Sequence, residues 1–159
     1  MARHRVLDEP LTCFRIGDPD GEFPIFSGEG ARRYPGRWNV AGQGMIYASL
    51  CYSTSLLEKL VRTTIMPPDQ HDVSINIPAG ISYEEFNEAK VPGWDADNSL
   101  AAKSFGSIWY DSGRSAILIV PSVVARLDRN LLINSDHPEF RRIKASREAP
   151  IWWDGRLFR

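Results

Sequence analysis

The sequence predicts an α+β fold in a single domain, and three observations lead to this prediction. The chain has 159 residues, a length at which one hydrophobic core forms without metals or disulfides. Its apolar and charged fractions, 43% and 25%, are those of an ordinary globular protein. Segments with strand and helix patterns are interspersed without the regular βαβ alternation that a parallel sheet requires.

The first part of the chain contains two predicted strands separated by a long loop. Leu11–Ile16 alternates its side chains between two faces, and Arg15 is the odd charge on a mainly apolar face. A buried arginine must be paired or meet an anion. The Gly- and Pro-rich segment that follows is long for a compact domain, and long ordered loops are often functional. Met45–Ser49 is the second strand, after the turn-forming sequence AGQG.

The next element is a predicted helix, Ser53–Ile65, which a pair of prolines ends. Apolar residues recur in it at helical spacing and predict one stripe that faces the core: Leu56, Leu57, Leu60, Val61 and Ile65. Other side chains of the helix are predicted to lie on the opposite face: Lys59, Arg62 and Thr63. Glu58 falls at the edge of the stripe, where a carboxylate can be half-buried.

The second half of the chain adds two strands, two helices and a tail of short elements. Val73–Pro78 alternates cleanly and predicts a strand covered on one face. SYEEFNEAKVPGW is predicted to begin as a short helix, and NSLAAKSFGSIWYDSG to form another with three residues facing inward: Leu100, Phe105 and Trp109. The continuous apolar run Ala116–Pro121 predicts a central strand covered on both faces. The tail is predicted to contain a short strand, a turn and a last strand: NLLIN, Ser135–Pro138 and Ile151–Asp154.

Charge, cysteines and missing motifs argue against several classes of protein. The net charge of −1 and the pI of about 6.3 give no overall positive field that would recruit nucleic acid or an anionic membrane. His4, His71 and His137 have no metal-ligand partners at useful spacing, and no phosphate loop, dinucleotide fingerprint or nucleophile elbow occurs. Cys13 and Cys51 share no motif, which favours free thiols in a reducing cytoplasm. With no signal peptide or membrane-spanning run, the protein is expected to be soluble and cytoplasmic.

Polar residues set into strand and helix ends remain as candidates for chemistry. Arg37 follows a glycine, and its rigid guanidinium suits a phosphate or pyrophosphate, although a surface arginine packed on Trp38 explains it as well. Tyr47 shares a strand face with Met45 and Ser49. It is therefore either a core aromatic or a stacking platform for a flat ring such as nicotinamide or adenine.

Glu58 and Ser122 each have a structural and a functional interpretation. Ser55 and Glu58 have the spacing of a capping box, in which the serine is the N-cap and the glutamate the third helical residue. A carboxylate in a first helical turn could also stabilise a positive charge, such as an oxocarbenium ion at a ribose carbon. Ser122 ends the buried strand and is either the N-cap of the following segment or a ligand-binding hydroxyl.

Short segments spread over nearly the whole chain carry a family resemblance. They are FRI (14–16), GRWN (36–39), MIYAS (45–49), SLLEKLV (55–61), VPS (120–122), NLLIN (130–134), HPEF (137–140) and DGRLF (154–158). No single segment is specific, but their ordered set resembles the RES-domain family, the toxins of RES–Xre toxin–antitoxin pairs.

The resemblance implies a fold and a set of functional residues. It implies one RES domain over residues 1–159, with the bent, split sheet and flanking helices of ADP-ribosyltransferases around an NAD⁺ cleft. The arginine, glutamate and serine that name the family map onto Arg37, Glu58 and Ser122, and roles for Arg15 and Tyr47 are also implied. Under this hypothesis the two arginines hold the NAD⁺ phosphates and the tyrosine stacks on the nicotinamide end. The glutamate bonds the ribose and stabilises the oxocarbenium-like transition state, and the serine orients the glutamate or the ribose.

The resemblance also implies a reaction and partners. NAD⁺ is the expected substrate, without a metal, and is consumed by hydrolysis or phosphorolysis or used to transfer ADP-ribose to a protein. An Xre-like antitoxin that carries the DNA-binding domain is expected to block the cleft, and the toxin to form a homodimer within the complex, without binding nucleic acid directly. Two other functions stay open from the residues themselves: a toxin that acts on RNA, and a non-enzymatic protein-interaction module.

Overall fold

The computed structural model describes residues 5–159, so His4 lies outside the described part of the chain. The strands are β1 (Arg5–Val6), β2 (Leu11–Gly17), β3 (Met45–Ser49), β4 (His71–Ile77), β5 (Ser82–Glu85), β6 (Ile117–Pro121), β7 (Arg129–Asn134), β8 (Lys144–Ala145) and β9 (Ala149–Pro150). The α-helices are α1 (Glu29–Arg33), α2 (Tyr52–Leu60) and α3 (Leu100–Ser112). Short 3₁₀ helices span Glu88–Lys90, Pro138–Arg142 and Gly155–Phe158. The predicted α+β class is confirmed.

The strands form one mixed sheet that is nearly divided into two halves. Its order is β1-β5-β6-β7-β3-β2-β4-β8, with β9 also paired to β4, and the β5–β6 pair alone is parallel within residues 5–159. Strands β3 and β2 are joined by one residue pair, Phe14 with Ser49, whereas β2 pairs with β4 along its whole length. The sheet therefore opens between β3 and β2, and the predicted bent, split sheet is confirmed.

Alternation along β3, β6 and β7 sends side chains into two hydrophobic cores. The inner core lies where the curled sheet brings its halves together and includes residues of both: Cys13, Ile46, Val73, Ile75, Ile117, Leu131 and Ile133. The outer core lies between the other face and α3 and is rich in large side chains: Trp38, Met45, Trp94, Trp109, Leu118 and Leu132. Both faces of the β3–β7–β6 region are thus covered, as the continuous apolar run in β6 predicts.

Several predicted elements differ from the observed ones. Ser82–Glu85 is strand β5 and not the start of a helix, because it pairs with both β1 and β6, and such non-local pairing overrides local preference. Ile151–Asp154 forms no strand, and the last strand is the two-residue β9 that precedes it. In α3, Trp109 is fully buried as predicted, but Leu100 is 66% exposed because it begins the helix.

Helix α2 departs most from its prediction. It begins at Tyr52, with Cys51 as the N-cap, so Ser55 lies inside the helix and donates to the carbonyl of Tyr52 at 2.6 Å. The capping-box interpretation is therefore wrong, and Glu58 lies in the second turn. The predicted apolar stripe is largely exposed, since Leu57, Val61 and Ile65 have 42%, 59% and 71% of their surface in solvent. No helix within residues 5–159 has the length and apolarity needed to cross a membrane.

Candidate active site

A pocket of about 290 Å³ lies over the opening between β2 and β3. Strand β2 contributes Phe14 and Arg15 to its lining, and β3 contributes Tyr47 and Ser49. Asn130 enters from the start of β7. Helix α2, which packs on β2 and β3, and the residues just after it supply a row of polar side chains: Ser55, Glu58, Lys59 and Arg62. The pocket therefore joins residues of both halves of the sheet under one helix.

Glu58 is held in this pocket through one of its two carboxylate oxygens. The hydroxyl of Ser122 donates to Oε1 at 2.7 Å, and the side-chain amide of Asn130 donates to the same atom at 2.8 Å. Neither bond involves Oε2. Two donors on one oxygen fix the orientation of the carboxylate and leave the second oxygen available to a ligand.

Ser122 and Thr54 attach α2 to the loop that follows β6. Ser122 is fully buried; its Oγ also accepts a hydrogen bond from the backbone N–H of Ala125 at 3.0 Å. This contact caps a turn, because no helix follows, so the predicted N-cap role is replaced by a loop contact. One turn before Glu58, the hydroxyl of Thr54 donates to the carboxylate of Asp128 in the same loop. The helix is thus attached to the loop at two points.

Three cationic side chains form one wall of the pocket: Arg15, Lys59 and Arg62. Burial lowers the pKa of Arg15 to about 10, and the nearby charge of Arg62 contributes to this decrease. The pKa of Lys59 is also lowered, first by burial and then by the charges of the two arginines. Within residues 5–159, none of the three forms an ion pair with a carboxylate. Such a wall favours an anionic ligand.

Arg15 also closes the opening of the sheet. Its Nε donates to the carbonyl of Ile25 and its Nη1 to the carbonyl of Tyr47, each at 2.7 Å. The sequence required a partner or an anion for this arginine, and these two carbonyls provide the partners. The guanidinium thus bridges β2 and β3 beside the single residue pair that joins them.

The side chain of Tyr47 supports the GRWN segment. Its hydroxyl donates to Oδ1 of Asn39 at 2.7 Å and accepts from the backbone N–H of Trp38 at 3.0 Å. A Cβ on Gly36 would lie 2.8 Å from the tyrosine ring, so only glycine allows this close approach. Burial raises the pKa of Tyr47 above its ordinary value, so the hydroxyl stays protonated near neutral pH. The stacking role predicted for its ring, which lines the pocket, stays a prediction.

Arg37 points away from the pocket. Its Nη1 donates to the carbonyls of Ala96 and Trp94, at 2.8 and 3.3 Å, and the residue is not part of the pocket lining. It therefore ties the GRWN segment to the 94–96 loop. Its predicted phosphate contact, which would lie outside this pocket, stays a prediction.

Sequence reasoning missed three polar residues of the pocket. Lys59 and Arg62 were assigned to the face of α2 opposite the core, and Asn130 was not singled out. The signal for the first two was present, because Lys59 follows Ser55, and Arg62 follows Glu58, at a spacing of four residues, which makes one polar stripe. Asn130 becomes visible only when the pairing of β3 with β7 places it opposite Ser49. Within residues 5–159, no cluster of three His, Cys, Asp or Glu side chains could hold a metal ion.

The fold and the pocket define a class of small α+β proteins in which a curled, split sheet carries a polar cleft with one anchored carboxylate. Residues 12–154 match the RES domain, so the chain belongs to the RES domain family. It is 37% identical over 139 residues to a "Prs ADP-ribosylating toxin" of Sphingobium sp., covering 84% of this chain and 86% of that protein. It is 32% identical to a "Toxin Res" of Pseudomonas putida, covering 83% of this chain and 92% of that protein.

A solved structure shares the fold. The chain aligns with a chain of the M. tuberculosis MbcT–MbcA toxin–antitoxin complex with a TM-score of 0.72 and 16% sequence identity. The alignment covers 94% of this chain and 88% of that chain. At this identity the similarity shows the fold alone.

Proposed function

We propose that this protein is the toxin of a toxin–antitoxin pair and that it consumes NAD⁺ by cleaving the bond between nicotinamide and ribose. The observation that carries the proposal is the anchored carboxylate of Glu58 in a pocket that also has a cationic wall. The relatives named as toxins, one of them as ADP-ribosylating, support it. Water, phosphate or a protein side chain then receives the ADP-ribose.

The cationic wall provides the binding energy in this proposal. Arg15, Lys59 and Arg62 face the diphosphate of NAD⁺, whose negative charge compensates the positive charge of this wall. The pocket is at the lower end of the range of about 300–1,000 Å³ for small-molecule sites, so part of the dinucleotide lies outside it on open surface. Two tyrosines line it, the half-buried Tyr47 and the exposed Tyr34, and either ring can stack on a base.

Glu58 provides the chemistry. When the bond between the ribose carbon and the nicotinamide nitrogen breaks, its electron pair leaves with nicotinamide and the positive charge moves to the ribose. A carboxylate hydrogen-bonded to the ribose hydroxyls stabilises that charge as it forms. Because Ser122 and Asn130 already fix the carboxylate, little reorganisation is needed in the transition state. The leaving group departs neutral, so no metal is required in this proposal.

Incubation of the purified protein with NAD⁺, with and without phosphate, tests the proposal by product mass. ADP-ribose, its phosphate ester or a modified protein identifies the acceptor as water, phosphate or a side chain. Glu58→Gln keeps the size of the side chain and its hydrogen-bonding oxygen but removes the charge. We therefore expect it to lower turnover by at least about 100-fold while the protein stays folded. The exposed Glu88→Gln is the matched control and should be as active as wild type. A Glu58→Gln protein with wild-type turnover would refute the assignment.

The toxin part of the proposal has a cellular test and implies a partner. Induction of the wild-type chain should lower cellular NAD⁺ before RNA is lost and then arrest growth, and Glu58→Gln should do neither. RNA loss before NAD⁺ loss would favour an RNA-directed toxin, and growth without arrest would favour an interaction module.

We propose an Xre-like antitoxin that covers the pocket, supported by the toxin–antitoxin assembly of the structural neighbour. A toxin homodimer in that complex is measurable by size-exclusion chromatography with light scattering.

A further inference from the structure

Asn130 is a pocket residue whose side-chain amide has both of its ends in use. Its Nδ2 donates to Oε1 of Glu58 at 2.8 Å, and its Oδ1 accepts from the hydroxyl of Ser49 at 2.7 Å. Ser49 is buried, whereas Asn130 is half-buried and lines the pocket. The amide therefore connects the sheet to the carboxylate on α2.

The orientation of this amide follows from its neighbours. A carboxylate accepts hydrogen bonds only, so the amide must turn its N–H₂ group toward Glu58. The opposite orientation would place a carbonyl oxygen against a carboxylate oxygen. The Ser49 hydroxyl can then donate to the remaining oxygen, which stabilises the same orientation. Because Ser49 lies directly opposite Asn130 across β3 and β7, its position is fixed by the sheet.

The second donor to Glu58 comes from the loop that follows the neighbouring strand. Asn130 pairs with Val120 of β6, and Ser122 lies two residues after Val120, just beyond the end of β6. The two donors converge on one atom, Oε1, and Ser122 is itself fully buried. A glutamate on a helix has several accessible rotamers, and this pair of donors selects one of them. The unused oxygen, Oε2, is then presented in a fixed direction.

We infer that Asn130 is a positioning residue of the reaction, which acts with Ser49 to hold Glu58 in the orientation that bonds the ribose of NAD⁺. The inference rests on the proposed function and deepens it, because it assigns a role to a residue outside the arginine, glutamate and serine. Asn130 acts through Glu58 and does not itself touch the reacting atoms. Its loss should therefore lower kcat and leave the binding of NAD⁺ by the cationic wall nearly unchanged.

Two variants of Asn130 test the role in turnover. Asn130→Ala removes the donor, and Asn130→Asp replaces it, at the same size, with an acceptor that repels Glu58. Loss of a hydrogen bond to a charged group corresponds to a factor of at least about 10 in rate. We therefore expect kcat to fall by that factor or more in both variants. For Asn130→Ala, KM should stay within about threefold of wild type, since the contacts of the cationic wall with NAD⁺ are not altered. Asn76→Asp, exposed on β4, adds the same charge away from the pocket and should match wild type.

A stability experiment tests the contact without relying on activity. In Asn130→Asp, two carboxylates face each other, so the melting temperature should fall. In the double variant Asn130→Asp/Glu58→Gln, the glutamine amide can donate to the new carboxylate, so most of that loss should be regained, with no return of activity. If Asn130→Asp lowers the melting temperature equally with and without the Glu58→Gln substitution, the two side chains do not interact in solution, and the inference is overturned.

The outcomes separate this inference from the proposed function. If wild type consumes NAD⁺ and Asn130→Ala has the same kcat per folded molecule, the positioning role is wrong and the proposed function stands. A fall in melting temperature with unchanged kcat means a structural role only, and it overturns the inference as well. If the wild-type protein leaves NAD⁺ intact, the proposed function fails, and the role of Asn130 in turnover fails with it.

Discussion

Arg15 illustrates how one residue combines structure and ligand binding. Its two hydrogen bonds to carbonyls of the loop before α1 and of β3 replace the strand pairing that ends at Phe14. The planar guanidinium can donate in two directions at once, and a lysine ammonium cannot span the same pair of carbonyls with that geometry. The burial that lowers its pKa to about 10 reflects the energetic cost of holding this charge in the opening.

We predict that Arg15→Lys destabilises the protein even without ligand. One of the two carbonyls would lose its partner, which costs about 1–3 kcal/mol in the free energy of unfolding. Urea denaturation of the purified variant measures this loss. Arg147→Lys, at an exposed position, is the control and should stay within about 0.5 kcal/mol of wild type. Equal stability of the two variants would mean that the Arg15 bridge does not contribute to folding.

Helix α2 shows that a hydrophobic pattern alone does not define the buried face of an element. Its buried side chains are the polar Thr54 and Ser55, whereas Leu57 and the C-cap residue Val61 are exposed. The helix turns its polar stripe to the pocket and attaches to the β6–β7 loop through the Thr54–Asp128 contact. Polar contacts to this loop, more than apolar burial, therefore determine its rotation.

A reciprocal pair of substitutions tests this arrangement of α2. Thr54→Val keeps the shape of the side chain but leaves the contact with Asp128 unmade, and should cost about 1–3 kcal/mol in the free energy of unfolding. Val61→Thr makes the reverse change of atoms at an exposed position and should stay within about 0.5 kcal/mol. Thermal or urea denaturation gives both values. The reverse ranking would indicate that the apolar stripe is the buried face.

Elements with a strong local pattern could be predicted from the sequence, and those defined by distant partners could not. Strands β2, β3, β4 and β6 lie within a residue or two of their predicted positions because each has an alternating or continuous apolar pattern. Residues 82–85 have no such pattern and become a strand only through pairing with β1 and β6.

The same distinction holds for the pocket. Glu58 and Ser122 were nominated by the family resemblance, and the structure brings them within hydrogen-bonding distance. Their roles in turnover remain predictions. Asn130 carries no local signal, because its position opposite Ser49 depends on the register of two strands that are 81 residues apart in the chain at this contact. For Arg37 the local pattern leaves a phosphate contact and a surface position equally open, and in the structure its guanidinium is bonded to the 94–96 loop.

At the scale of the whole molecule, the two halves of the sheet are held together mainly by the inner core. Direct strand pairing between them is a single residue pair, and the Arg15 bridge adds two hydrogen bonds. Cys13 of β2 lies fully buried in this core, together with Ile46 of β3 and Ile133 of β7. The ionisation of the Cys13 thiol therefore reports whether the two halves of the sheet are closed on one another.

Ionisation of Cys13 gives this closure a pH dependence. Burial raises the pKa of its thiol from 9.0 to about 12, so the folded protein keeps the thiol protonated where the unfolded chain has already lost the proton. The raised pKa contributes stability that is fully present below pH 9 and is lost progressively as the pH rises from 9 toward 12. At pH 10 the unfolded thiol is about 90% ionised, which corresponds to a loss of about 1.4 kcal/mol in the free energy of unfolding.

We predict that Cys13→Ala, although less stable than wild type near neutral pH because it leaves a small cavity, loses less stability on going to alkaline pH. Urea denaturation at pH 7.5 and pH 10 should show a decrease that is about 1–2 kcal/mol larger for wild type than for the variant. Other titrating groups, including the half-buried Tyr47, are common to both proteins and cancel in this difference. Cys51→Ala, which removes the partly exposed thiol at the start of α2, is the control. Its decrease in the free energy of unfolding should be at least as large as that of wild type, because the pKa of the Cys51 thiol is lowered and not raised. Parallel decreases for wild type and Cys13→Ala would mean that the inner core admits solvent and that the two halves of the sheet are not closed in solution.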